Sequence, residues 1–140
     1  MSERIFLDTS GWFAALNPVD QHHGSAAPVY DELLATRGAA LLTTNLVVAE
    51  VHALLVRKGG AEAGVRFLDQ LHGDPAHQVM WATRDLERNA VDRWLRPFRD
   101  VAFSLTDAVS FEVMRVAGLR RAFTFDRHFD VAGFERVPSK

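Results

Sequence analysis

The strongest constraint on the fold is an alternation. Short runs rich in apolar residues are separated by longer stretches with helical spacing. Arg4 to Leu7, Ala40 to Thr43, Gln78 to Ala82 and Ala122 to Phe125 are predicted strands, and Phe134 to Val137 is one more. The first predicted helix, Gly11 to Leu16, follows the helix-start residues Asp8, Thr9 and Ser10 and ends at Asn17-Pro18. His22 to Arg37 is the second, stopped by Gly38. A third is capped by Asn45 and runs to about Lys58, where Gly59-Gly60 breaks it. Ala61 to His72 is a fourth, closed by Gly73-Asp74-Pro75. Thr83 caps a helix with Val91, Trp94, Leu95 and Phe98 on its apolar side, and Thr106 to Ala117 ends at Gly118. Short strands alternating with helices predict an α/β fold with a parallel sheet covered on both faces. Ligands in such sheets bind beyond the carboxyl ends of the strands, which directs attention to Asp8 and Asp126.

Bulk properties bound the answer further. The 140 residues suit a single domain spanning residues 1–140, and 48% hydrophobic residues exclude a disordered chain. No apolar run approaches the roughly 18 residues of a membrane span, and no secretory signal is evident, so a cytoplasmic protein without membrane contact is expected. The absence of cysteine excludes disulfides and thiolate-bound zinc. A net charge of -2 gives no global basic field. Arginine supplies 14 of the 16 basic residues, which suits phosphate contacts and equally reflects codon usage.

Four acids stand at positions that call for an account. Asp8 ends the first strand and serves either as a helix N-cap or as a ligand. Glu50 has Leu46, Val47, Ala53 and Leu54 at helical spacing, which predicts a carboxylate on a buried stripe. Such a group needs a counter-charge, either a buried arginine or a metal. Asp107 fits a capping box beginning at Ser104, and Asp126 opens a loop after the fourth strand. Together they pose a problem that none poses alone. Ionised carboxylates within about 4–5 Å repel by roughly 3–4 kcal/mol per pair at an effective dielectric near 20. A cluster of this kind binds cations or traps protons, and oxygen-only ligands favour Mg²⁺ or Mn²⁺ over zinc.

At these residues the chain resembles the PIN-domain family, and within it the VapC-type toxins of toxin–antitoxin pairs. The matching segments are Phe6-Leu7-Asp8-Thr9-Ser10, Thr44 to Val51, Leu105-Thr106-Asp107-Ala108 and Thr124 to Phe129. Their order and spacing span nearly the whole chain. The resemblance implies a three-layer α/β/α sandwich with a central, mostly parallel sheet. It implies a Mg²⁺- or Mn²⁺-dependent endoribonuclease whose acidic quartet is Asp8, Glu50, Asp107 and Asp126. Thr9 and Ser104 fall where hydroxyls support that site. Asp130 is an auxiliary acid or plain surface, and Asn45 begins the helix carrying Glu50 as its cap.

The expected chemistry is metal-activated attack of water in line on phosphorus, leaving 5′-phosphate and 3′-hydroxyl ends. Asp8 and Asp126 are the expected direct ligands, with Glu50 and Asp107 binding directly or through water. The resemblance also implies an RNA substrate, a homodimer and a cognate antitoxin that blocks the acidic groove. A housekeeping RNA-processing nuclease and a non-catalytic RNA- or protein-binding module are the alternatives. A phosphotransfer enzyme fits less well, because Ser10 stands where the usual second aspartate would, and neither lysine follows a predicted strand. The histidines show no zinc spacing and are assigned surface or capping roles. Trp12, Trp81 and Trp94 are assigned to packing rather than to stacking on RNA bases.

Overall fold

Ile5, Phe6 and Leu7 in strand β1 (Arg4–Leu7) are fully buried, as a strand covered on both faces requires. The structure is a computed structural model and describes residues 3–139. β1 pairs in parallel with β2 (Ala40–Thr44) on one side and with β4 (Arg121–Phe123) on the other. β3 (His77–Met80) lies outside β2 and β5 (Glu135–Val137) outside β4, all in parallel. The strand order is therefore β3-β2-β1-β4-β5. The chain builds outward from β1 to β3, then returns to add β4 on the opposite side. The β1/β4 seam is the point at which the winding reverses, where such sheets open a crevice.

Among the described residues six helices cover the sheet: α1 (Thr9–Leu16), α2 (His23–Ala35), α3 (Asn45–Gly73), α4 (Arg84–Ala90), α5 (Leu105–Ala117) and α6 (His128–Val131). α1 packs against α2 and α3, whereas α5 packs against α4 and the π-helical turn Val91–Leu95 that extends it. The result is a three-layer α/β/α sandwich with a parallel central sheet, in agreement with the alternation in the sequence. Among the described residues no helix is long and apolar enough to cross a membrane.

The break expected at Gly59-Gly60 is present: Gly60 leaves the helical region (φ +84°, ψ 177°), so α3 is two helical segments meeting at a kink, the second running to Gly73. Other boundaries differ from the sequence-based expectation for identifiable reasons. Thr44, not Asn45, caps α3, its hydroxyl accepting the Val47 N–H at 3.2 Å. The Asn45 side-chain oxygen instead accepts the Ala82 N–H at 2.7 Å and ties α3 to the segment after β3. The segment after β4 is not all loop: it contains α6, a single turn too short for periodicity to reveal.

One glycine sets the depth of the crevice. A Cβ on Gly11 would lie 2.4 Å from the Phe123 carbonyl oxygen. Only glycine lets α1 approach the end of β4 this closely, and that approach brings the Asp8 segment against Thr124.

Candidate active site

Strand register places the first site residues. Phe6 pairs with Ala122 and Leu7 with Phe123, so Asp8 and Thr124 emerge side by side at the carboxyl ends of β1 and β4. Asp126 follows two residues later. Asp107 enters from the first turn of α5, and Glu50 from the second turn of α3. An open groove of about 690 Å³ at this end of the sheet is lined by all four acids.

The capping box expected at the start of α5 is present. The Ser104 hydroxyl accepts the Asp107 N–H at 3.0 Å, and Asp107 Oδ2 accepts the Ser104 N–H at 3.2 Å. Capping does not exhaust this carboxylate. Asp107 Oδ2 also lies 3.1 Å from His128 Nδ1, which is 3.7 Å from Asp126 Oδ1. Ligand atoms of Asp107, Asp126 and His128 all fall within 4.8 Å of one another. Asp126 Oδ1 is oriented by the His128 backbone N–H at 2.9 Å, so the turn that opens α6 aims both side chains at one point.

Asp8 stands deeper. Its position is that of an N-cap, yet its side chain makes no capping bond to α1. Oδ2 accepts from the Thr124 hydroxyl at 2.7 Å and from the Ser10 hydroxyl at 3.4 Å. Thr124 is itself fixed by accepting the Asp126 N–H at 3.0 Å, which links the two acids through one hydroxyl. Burial lifts the Asp8 carboxyl from its usual 3.8 to about 7. Hydrogen bonding by Thr124 and Thr9 opposes this rise, and the charges of Asp107 and Asp126 add to it.

Glu50 is exposed, which corrects the expectation of a buried carboxylate. The buried stripe of this part of α3 is Val47, Val51 and Leu55. With 3.6 residues per turn, Glu50 sits about 100° around the helix from its centre. Apolar neighbours in sequence therefore flank it without covering it. Its carboxylate accepts the Thr9 hydroxyl on Oε1 and the Thr106 hydroxyl on Oε2, each at 2.7 Å. Among the described residues no arginine pairs with it. The two hydroxyls hold it facing the groove.

The auxiliary positions divide. Thr9 contacts Glu50, and Ser104 orients Asp107. Asp130 stands apart, both its oxygens engaged by Arg136 Nε at 3.0 Å. His128 is neither a surface nor a capping residue, as its spacing suggests, but lies inside the cluster. Its only signal in the sequence is the two-residue separation from Asp126, which matters once a turn folds the segment back. Thr106, Thr124 and Ser10 also join the site; they lie within the matching sequence segments without standing out there, because a hydroxyl carries no signature until its partner is known.

The donor set fits a divalent cation. Two carboxylates and an imidazole converge within ligand-pair distances. A third carboxylate is buried beside them, with no cationic side chain on it among the described residues. Carboxylate oxygens suit Mg²⁺ and Mn²⁺, and the imidazole suits the latter better.

Comparisons with known proteins are consistent across sequence and structure. The PIN domain model matches residues 5–135. The 23S rRNA-specific endonuclease VapC20 of Mycobacterium tuberculosis, in strains CDC 1551 / Oshkosh and ATCC 25618 / H37Rv, is 37% identical over 133 residues. That match covers 95% of this chain and 97% of the relative. The crystal structure of Mycobacterium tuberculosis VapC20, described as a Sarcin-Ricin loop cleaving toxin, superposes with a TM-score of 0.82 at 35% identity. It is matched over 93% of this chain and 95% of its own.

Proposed function

Because the chain belongs to the PIN-domain family, we propose that it is a VapC-type, divalent-metal-dependent endoribonuclease acting through the groove at the end of β1 and β4. The observation that carries this reading is the convergence of Asp107, Asp126 and His128 beside a buried Asp8 whose side-chain partners are all uncharged. A binding module gains nothing from two aspartates whose charges add to the raised proton affinity of a buried third. A hydrolase that recruits a cation does.

The residues divide the work. Asp107, Asp126 and His128 would hold Mg²⁺ or Mn²⁺, with Asp8 beside them. A cation there would supply Lewis-acid charge neutralisation for the phosphate and acidify the attacking water. Ser104 and the His128 backbone N–H fix the two aspartates, so their oxygens need no reorientation. Thr124 holds Asp8 and Asp126 in register. Glu50, clamped by Thr9 and Thr106, faces the groove and is placed to orient water and accept its proton. The products expected are a 5′-phosphate and a 3′-hydroxyl.

Likeness to VapC20 over nearly the whole chain supports ribosomal RNA as the substrate class and a toxin role. A cognate antitoxin occupying the groove, a homodimer and a cytoplasmic site of action belong to the same proposal. Incubating the purified protein with total RNA, in Mg²⁺, Mn²⁺ or EDTA, tests it. New 5′-phosphate ends should map to discrete positions with metal and vanish with EDTA. Cleavage that survives EDTA, or no cleavage with any divalent ion, overturns the reading.

A further inference from the structure

Part of the groove wall is aromatic rather than acidic. The His22 imidazole lies flat on the Phe125 ring, with centroids 4.2 Å apart and planes inclined by 10°. Both side chains line the same groove as Asp8, Asp107 and Asp126. Phe125 is half-buried whereas His22 is exposed. The less exposed phenyl ring therefore backs an exposed imidazole on the groove wall.

The pair is held by its backbone. The His22 N–H donates to Asp20 Oδ1 at 2.8 Å, and the His22 carbonyl accepts the Ala26 N–H at 2.9 Å. The Phe125 N–H donates to Ser10 Oγ at 2.9 Å, and the Ser10 hydroxyl reaches Asp8 at 3.4 Å. Phe125 directly precedes Asp126, so the platform lies one residue from the cation-binding carboxylates. The adjacent His23 differs: its Nδ1 is engaged by the Ala14 carbonyl at 2.8 Å, an internal tie.

We propose that the His22–Phe125 stack is a base-stacking subsite that receives an unstacked nucleobase of the RNA next to the phosphate being cut. The subsite rests on the nuclease reading and deepens it by naming the side chains that receive a base of the substrate. A planar aromatic surface binds the face of any base, but only a base released from its own helix can present that face. With the scissile phosphate at Asp107 and Asp126, the neighbouring base falls on the wall one residue away.

The test compares wild type with His22→Ala, His22→Leu and His22→Phe on a short single-stranded RNA and on the same sequence in a duplex. Stacking energies of the usual size predict roughly a ten-fold rise in KM for His22→Ala and His22→Leu, with kcat nearly unchanged. His22→Phe restores the wild-type KM, because a flat ring is what the site requires. A 2-aminopurine base beside the cut site should be quenched on mixing with wild type and His22→Phe, and not with His22→Leu. If wild type cleaves single strands and His22→Leu matches it in KM and quenching, the stacking subsite is overturned while the nuclease stands. Equal cleavage of duplex and single strand overturns it as well. If wild type cleaves neither RNA with Mg²⁺ or Mn²⁺, the nuclease reading itself fails and the subsite falls with it.

Discussion

Asp8 and Glu112 are both buried carboxylates, at 5% and 1% exposure, and they are treated in opposite ways. Glu112 on α5 meets Arg93 at 3.1 Å, Arg115 at 2.8 Å and the Trp94 indole N–H at 3.1 Å. The hydrogen bond from Arg115 outweighs burial and lowers the Glu112 carboxyl below its ordinary range. Asp8 has only uncharged partners, and burial lifts its carboxyl to about 7. One site is complete within the chain; the other lacks positive charge. A buried carboxylate denied protein cations, next to two further aspartates, is built for a cation from solution.

The largest effect that separates the two sites is on chemistry. Asp8→Asn should reduce metal-dependent RNA cleavage at least about 10³-fold, while Glu112→Gln leaves kcat of the folded protein within about two-fold. Initial rates on one RNA substrate decide this. Full activity in Asp8→Asn would break the comparison.

Next in size is a contrast of sign with pH. Asp8 has a raised folded-state pKa, so its contribution is fully present below 3.8 and is lost as pH rises through about 7. That loss is worth about 4 kcal/mol at most. Glu112 has a lowered pKa, so its contribution is present above 4.5 and is lost as pH falls through its folded value. In EDTA, Asp8→Asn should therefore stabilise the protein at pH 8 and not at pH 4. Mg²⁺ should raise Tm more at pH 8 than at pH 5 in wild type, and much less in Asp8→Asn. Calorimetry at these pH values, with and without metal, reads both.

Glu112→Gln sharpens the other side. It leaves two arginines without their carboxylate, but both are about half exposed and water takes up much of the loss. A destabilisation of about 1–3 kcal/mol in urea is expected at pH 7, insensitive to Mg²⁺. The smallest effect concerns Glu50. Thr106→Val removes one of its two clamps and should slow cleavage about five- to ten-fold without changing Tm measurably. Thr9→Val should do the same, and the double variant should cost more than either.

The contrast between Asp8 and Glu112 also marks where sequence reasoning reaches and where it stops. Asp107 is legible as a capping-box member, because that motif is local and its partner, Ser104, lies three residues away. Asp8 and Asp126 are legible as strand-end acids. Glu50 stands out in the sequence for burial it does not have. Periodicity marks which neighbours are apolar but not which side of the stripe a residue takes. Glu112 does not stand out at all, since Arg93 and Trp94 reach it from nearly twenty residues away. His128 and the His22–Phe125 stack are hidden for the same reason: each depends on a contact between segments far apart in the chain.

The amino-acid sequence by itself determined the alternation of strands and helices, the parallel sheet it implies, and the family to which the chain belongs. These come from local periodicity, capping and ordered motifs, which act over a few residues. The tertiary structure alone decided which carboxylates lack a cation. Register at the β1/β4 seam, the close approach at Gly11 and the turn into α6 bring Asp8, Asp107, Asp126 and His128 to one groove. Charge balance is a property of neighbours in space, and only the folded chain sets those neighbours.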